Sequence, residues 1–268
     1  MSEDYRQDAV AYYDKFAGPP AGDVAFYRSF VTKNTRVLEL GCGTGRVLLP
    51  LAQACRYIHG LDHSSAMLTL CRQKLAAANI GASQAEVEVA DITNFDLTDR
   101  MDPFDLVIAP FRVMQNLETD EQIAGLMNGI KRHLAPGGTA ILNTFYPRGD
   151  PAMLKANWAR RDGREPAWRQ PDGVDTVTLT ENCTRYRESP LTMLPELTYR
   201  RYDAGGTQTG EAKLRIAMRV WYPNDLIHLI ESHGFVVTNR FGGYEGEPWE
   251  AGTELVVVFQ EHPQLALP

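Results

Sequence analysis

Between Thr35 and Phe145, short runs of β-branched and aliphatic residues alternate with longer amphipathic stretches, a rhythm that restricts the chain to a parallel sheet with helical crossovers. The runs are RVLEL (36–40), YIHGL (57–61), VEVA (87–90), FDLVIA (104–109) and TAILNTF (139–145). Segments 45–54, 64–78 and 120–134 place apolar residues near helical spacing, as in Met67, Leu68, Cys71 and Leu75. LAPGG at 134–138 is expected to close the third helix, because Pro and Gly stop a helix and turn the chain.

After Phe145 the rhythm breaks. Residues 147–172 collect Pro, Gly, Arg, Trp and Asp without a period and read as an irregular connection. From Asp175 to Tyr222 the pattern is strand-like: Leu214, Ile216, Met218, Val220 and Tyr222 alternate with Arg215, Ala217, Arg219 and Trp221. Gly205-Gly206 marks a hairpin turn. PNDLIHLIESHG (223–234) then has a helix start at Pro223 to Asp225 and a terminal glycine, and two strands follow at 235–241 and 254–260. The expected architecture is α/β: a doubly wound, mostly parallel seven-stranded sheet whose last strand is antiparallel, with an inserted small antiparallel sheet.

Composition bounds the function classes. The 268 residues carry a formal net charge of −7, which argues against a broad phosphate-binding surface, since nucleic-acid affinity rests on neutralising phosphates with Lys and Arg. Segment 147–222 is the locally basic part, with 13 Lys/Arg against 10 Asp/Glu. No stretch approaches the roughly 18 apolar residues of a membrane span, and the N-terminus lacks an apolar segment after a basic start, so a soluble, cytoplasmic protein is expected. Cys42, Cys55, Cys71 and Cys183 show neither a CxxC pair nor zinc spacing, which points to free thiols and no metal.

The sharpest motif is Val37 to Arg46, VLELGCGTGR, a strand running into three alternating glycines. Glycine there permits positive φ and lets a ligand approach the backbone. A dinucleotide-binding loop spaces its glycines GxGxxG; here the spacing is GxGxG, and Arg46 stands in the third glycine's place. This resembles the first motif of the class I, Rossmann-like S-adenosylmethionine-dependent methyltransferases, [D/E]xGxGxG. Four further positions agree in order: Asp62 ends the second run, Asp91-Ile92 follows the third, Pro110-Phe111 follows the fourth, and LAPGG precedes the fifth.

The resemblance implies three parts: an N-terminal helical arm (1–34) over the active site, a methyltransferase core (35–146 and 223–268), and an inserted β-rich lid (147–222). It implies S-adenosylmethionine as cofactor and S-adenosylhomocysteine as product. Asp62 would accept from the ribose hydroxyls, Asp91 from the adenine amino group, and the Ile92 amide would donate to a ring nitrogen. His63 and Met67 would pack near the nucleoside. Glu39 and the backbone of Gly41, Cys42, Gly43 and Gly45 would surround the methionine part, with Arg46 as donor to its carboxylate and Tyr13, Tyr27 and Pro110 nearby. Bland alternatives stand beside these roles: Asp62 and Asp91 as helix caps, Met67 as core, Cys42 chosen for size.

Tyr13, Arg112 and Gln115 are the candidates for the catalytic side, and Tyr27, Arg112, Gln115, Tyr146, Arg215, Arg219 and Trp221 for the substrate side. Arg112 and Gln115 are polar in the apolar run APFRVMQNL (109–117), just past the fourth strand, where open α/β sheets place ligands. Arg112 suits an anionic substrate group or a structural salt bridge. Tyr13 and Tyr27 serve equally as ordinary helix aromatics. Arg215, Arg219 and Trp221 share a face of the inserted sheet that either roofs the pocket or is solvated. The leading expectation is an enzyme that methylates an O or N atom of a small molecule, as a monomer or homodimer. RNA or protein methylation and non-catalytic S-adenosylmethionine binding are the alternatives; the fourth strand is followed by APFR and not by an NPPY-like motif.

Overall fold

Alternating strands and helices of the predicted kind run through most of the computed structural model, which describes residues 7–16 and 18–262. The first six residues of the expected arm, Ala17, and the last six of the expected core lie outside the described residues. In chain order the elements are α1 (Gln7–Phe16), α2 (Asp23–Arg28), β1 (Arg36–Leu40), α3 (Leu48–Ala52), β2 (Tyr57–Asp62), α4 (Ser65–Ala77), β3 (Ala85–Val89) and β4 (Phe104–Ala109). A 3-10 turn (Val113–Asn116), α5 (Asp120–His133), β5 (Leu134–Phe145), α6 (Pro151–Ala159), β6 (Asp162–Asp172) and β7 (Asp175–Asn182) follow. The chain continues through β8 (Tyr186–Glu188), β9 (Leu191–Met193), β10 (Glu196–Tyr202), β11 (Gln208–Arg215), β12 (Met218–Arg219), α7 (Pro223–Ser232), β13 (Phe235–Phe241) and β14 (Glu254–Glu261).

Two compact units result. The larger comprises Gly18–Met114, Thr119–Tyr146 and the chain from Trp221 onward. Its seven-stranded sheet has the order β13-β14-β5-β4-β1-β2-β3, with β14 antiparallel to both neighbours and β1 to β5 parallel. Strand order reverses at β1, which lies between β4 and β2, so the crevice past the carboxyl ends of these strands is where a doubly wound sheet takes a ligand. The central strands bury nearly every side chain, as a sheet covered on both faces requires: Val37, Leu38, Leu40, Ile58, Leu61 and Ile108 are all enclosed. Helix ends are capped locally; Ser64 accepts from the Met67 N–H at 3.3 Å, and Thr119 with Gln122 forms a capping box on α5.

The smaller unit comprises the described part of residues 1–17, Gln115–Glu118 and Pro147–Val220. It holds two antiparallel sheets, β11-β10-β7-β6 and β12-β9-β8, where one was expected. Helix α1 packs on the larger of the two: Tyr12 stacks on Tyr199 at 5.4 Å, and Phe16 joins Val177, Leu179 and Tyr199 in a small core. The arm therefore divides, α1 going with the inserted strands and α2 with the main sheet.

Three local expectations are corrected. Residues 147–172 are not irregular, because Asp150 caps α6 through the Met153 N–H at 2.8 Å with Pro151 in the first turn, and β6 follows. Strand β6 tolerates Pro166 and Pro171 because it is an edge strand, with register shifts around Pro166. LAPGG does not lie between helix and strand: Leu134 already pairs with Phe104. The alternation across 214–222 is not one strand, since β11 ends at Arg215 and β12 spans two residues. The Gly205-Gly206 turn does join β10 to β11. No helix among the described residues is long and apolar enough to cross a membrane, and no group of three or more described His, Cys, Asp or Glu residues forms a metal site.

Candidate active site

At the carboxyl end of β1 the chain turns through Gly41, Gly43 and Gly45, all with positive φ (72°, 53° and 82°). Two of these glycines are packing requirements. A Cβ on Gly41 would lie 2.5 Å from a Val113 methyl, and one on Gly45 would lie 2.4 Å from Leu49 Cδ1 and 2.6 Å from Cys71 Sγ. Gly43 differs, because a Cβ there would meet nothing within 4 Å. Its backbone faces open space, the condition for a ligand to approach the chain directly.

The loop is fastened to the end of β2. The Gly41 and Cys42 amides donate to Leu61 O at 2.7 and 3.0 Å, and the Gly43 amide donates to Asp62 Oδ2 at 2.9 Å. Asp62 Oδ1 accepts from the Ser64 amide at 2.8 Å, and His63 Nδ1 lies 3.6 Å from the same oxygen. Burial raises the Asp62 carboxyl above its usual range, against the opposing pull of the Ser64 and Gly43 amides. The His63 amide is a third backbone donor to this carboxyl.

Glu39 is 2% exposed, and its Oε2 has no hydrogen-bond partner among the described residues. Burial pushes its carboxyl up to about 8, with the Arg46 guanidinium pulling it back. A buried acid left unsatisfied beside the turn that ends β1 calls for a cationic or hydrogen-donating guest. Arg46, expected to meet a carboxylate, is engaged with Asp23 at the start of α2 (3.0 and 2.7 Å) and lies over the Phe111 ring at 5.2 Å. Asp23 escaped the sequence reading; its only local signal is Gly22, which precedes α2 at φ 77°.

The remaining candidates are placed as follows. Asp91 is exposed after β3, its Oδ1 accepting from the Thr93 amide and hydroxyl at 2.9 and 2.8 Å, while Ile92, Met67 and Pro110 are buried. Cys42 is buried, which drives its thiol well above the ordinary range. Tyr27 is wholly enclosed, with its hydroxyl 3.2 Å from that of Tyr244; burial pushes its pKa well above the ordinary phenol value, and it sits in the core of the larger unit. Tyr146, at the end of β5, is half-buried and donates its amide to Thr253 O at 2.8 Å.

Arg112 binds no open anion site: its guanidinium is gripped by buried Glu254, with Nε to Oε2 at 3.1 Å and Nη2 to Oε1. Phe111 and Arg112 both have positive φ (56° and 65°), a strain of about 1–3 kcal/mol each for residues other than glycine. On the smaller unit, Gln115 is fully buried and donates to Arg219 O at 2.8 Å, so two candidates far apart in sequence meet. Tyr13 is half-buried on α1. Arg215, Arg219 and Trp221 do not share a face, because the strand breaks between them: Arg215 is exposed and bonded to Glu196 at 2.7 Å, Arg219 lies in β12, and Trp221 is buried in the larger unit.

A family model described as a methyltransferase domain matches residues 37–138, the stretch from β1 into β5. Cypemycin N-terminal methyltransferase of a Streptomyces species is 29% identical over 265 residues, spanning 96% of this chain and 97% of that protein. The dTDP-3-amino-3,4,6-trideoxy-alpha-D-glucopyranose N,N-dimethyltransferase of Streptomyces venezuelae is 27% identical over 173 residues, 61% of this chain and 69% of that one. In fold, the CcbJ methyltransferase from Streptomyces caelestis superposes with a TM-score of 0.73 at 23% identity, covering 98% of this chain and 100% of that one.

Proposed function

We propose that this chain, which belongs to the class I S-adenosylmethionine-dependent methyltransferases, methylates the nitrogen of a small-molecule amine. The chain's own residues fit the cofactor: an orphaned carboxylate oxygen on Glu39, an unobstructed backbone at Gly43, and a buried acceptor, Asp62, at the carboxyl end of β2 bonded to the Gly43 amide. In this reading Glu39 and the Gly41 to Gly45 backbone hold the methionine part, and Asp62 takes the ribose hydroxyls. Asp91 and the Ile92 amide meet the adenine edge, with His63 and Met67 beside the nucleoside. When bound, S-adenosylmethionine would supply an electrophilic sulfonium methyl, open to attack at carbon by an acceptor lone pair, with the S–CH3 bond breaking and a neutral thioether leaving.

What the protein must add is alignment and exclusion of water, which together contribute about 7–11 kcal/mol in favourable cases. Glu39, next to last in β1, fixes the cofactor's polar end, while the Asp62 and Gly43 bond holds the loop that orients it. The acceptor nitrogen must arrive as the free amine, and the proton it sheds after transfer passes to water. Four buried thiols suit a reducing cytoplasm.

The observation that carries nitrogen over oxygen is the near full-length similarity to an N-terminal methyltransferase. The test is mass spectrometry of reactions with S-adenosylmethionine and a panel of amino sugars, other amines, a short peptide with a free N-terminus, phenols, carboxylates and bulk tRNA. Methylation confined to amines is expected. Transfer only to oxygen or to tRNA would overturn the proposal, and turnover of the peptide alone would narrow it to α-amines.

A further inference from the structure

The turn after β4 holds two adjacent residues other than glycine, Phe111 and Arg112, in the left-handed region. Such backbone persists only where its surroundings over-determine it. Here the surroundings are two buried polar side chains from neighbouring strands, Asn143 of β5 and Glu254 at the start of β14. Asn143 Oδ1 accepts the Arg112 backbone N–H at 2.9 Å, and its Nδ2 donates to Glu254 Oε2 at 2.9 Å. Glu254 takes the Arg112 guanidinium in two-pronged fashion. One residue is thus held by its backbone and by its side chain, through partners that are themselves bonded together.

That turn abuts the glycine loop at two points. A Val113 methyl fills the space over Gly41 that a Cβ would need, and the Phe111 ring lies 5.2 Å from the Arg46 guanidinium. Relaxing the turn toward ordinary φ would shift Phe111 and Val113 relative to the loop they abut. A buried ion pair is weak evidence of net stability, because desolvation offsets its attraction. Its value here is geometric.

We infer that Glu254, acting through Asn143 and Arg112, is a positioning residue for cofactor binding: it pins the strained turn so that Phe111 and Val113 brace the glycine loop. The inference rests on the reading of that loop as the S-adenosylmethionine cradle. The bonds of the Glu254 carboxylate run to Arg112 and Asn143.

Calorimetric affinity for S-adenosylhomocysteine, with thermal midpoints as a control for folding, tests it in wild type, Glu254→Gln, and that variant combined with Arg112→Gly or Arg112→Ala. Glu254→Gln should weaken binding about tenfold, the scale of one left-handed residue's strain. Adding Arg112→Gly should restore affinity to within about threefold, since glycine holds positive φ without an anchor. Arg112→Ala removes the same charge yet keeps a Cβ, and should not restore it. Wild-type affinity in Glu254→Gln, or equal affinities in the folded Gly and Ala variants, would overturn the inference. Should Glu254→Gln not fold, Arg112→Gly against Arg112→Ala with Glu254 in place makes the same comparison. A wild-type protein that fails to bind S-adenosylhomocysteine would instead bring down the cofactor reading, and this inference with it.

Discussion

Glu39 links cofactor affinity to pH, and the sign follows from its burial. Its carboxyl is pushed up to about 8, and Oε2 waits without a hydrogen-bond partner among the described residues. A cofactor ammonium pairs with the ionised form alone, so binding below pH 8 must expel a proton from Glu39. A carboxyl of that pKa is ionised in about 0.3% of molecules at pH 5.5 and about 24% at pH 7.5, so affinity should rise roughly 80-fold across that window. Calorimetry with S-adenosylhomocysteine in buffers of different ionisation enthalpy counts the proton directly, with about 0.9 released per binding event at pH 7. In Glu39→Gln both the slope and the proton should vanish, and binding should be weak throughout.

Linkage adds a second readout of opposite sign. The folded value of about 8 lies above the ordinary glutamate value of about 4.3, so the folded chain holds an extra proton between these pH values. Glu39's contribution to stability is therefore fully present below about pH 4 and is lost as pH rises toward 8. Glu39→Gln, neutral at every pH, should raise the thermal midpoint of the ligand-free protein at pH 8 while costing it cofactor. A pH-flat affinity without proton release in wild type, or a lower midpoint for Glu39→Gln at pH 8, would refute the assignment of an unpartnered acid awaiting a cation.

Two further substitutions test the loop. Asp62→Ala should weaken S-adenosylhomocysteine binding by about 1.5–3 kcal/mol, the worth of hydrogen bonds to a charged group, and unchanged affinity would remove Asp62 from the site. Gly43→Ala meets no neighbour within 4 Å, so it should cost the fold only about 1 kcal/mol of left-handed strain while sharply reducing binding. Gly45→Ala drives a Cβ into Leu49 and Cys71 and should lower the thermal midpoint first; identical profiles for the two variants would contradict the assignment of open space at Gly43 to the cofactor.

Local requirements were legible in the chain and distant pairings were not, and Arg112 shows why. The five strand runs and the glycine spacing state conditions that each segment must meet alone: β-branched residues for a doubly covered strand, positive φ for the turn. An arginine in an apolar run states only that a partner exists. That partner is Glu254, 142 residues away, and the choice between an anionic substrate and a buried acid turns on how β14 docks against β5. In the observed register Glu254 lies opposite Phe145 and Val256 opposite Asn143, which puts the acid diagonal to the asparagine and in reach of the turn past β4. A slip of one residue would send Glu254 to the other face of the sheet. Asp23 and Arg46 repeat the case over 23 residues. The signal that was available was the acid itself: a glutamate opening the run ELVVVFQ, on a strand with aliphatic neighbours, pays for its burial only if a cation meets it, and Arg112 was the polar residue already unexplained at the carboxyl end of an adjacent part of the sheet.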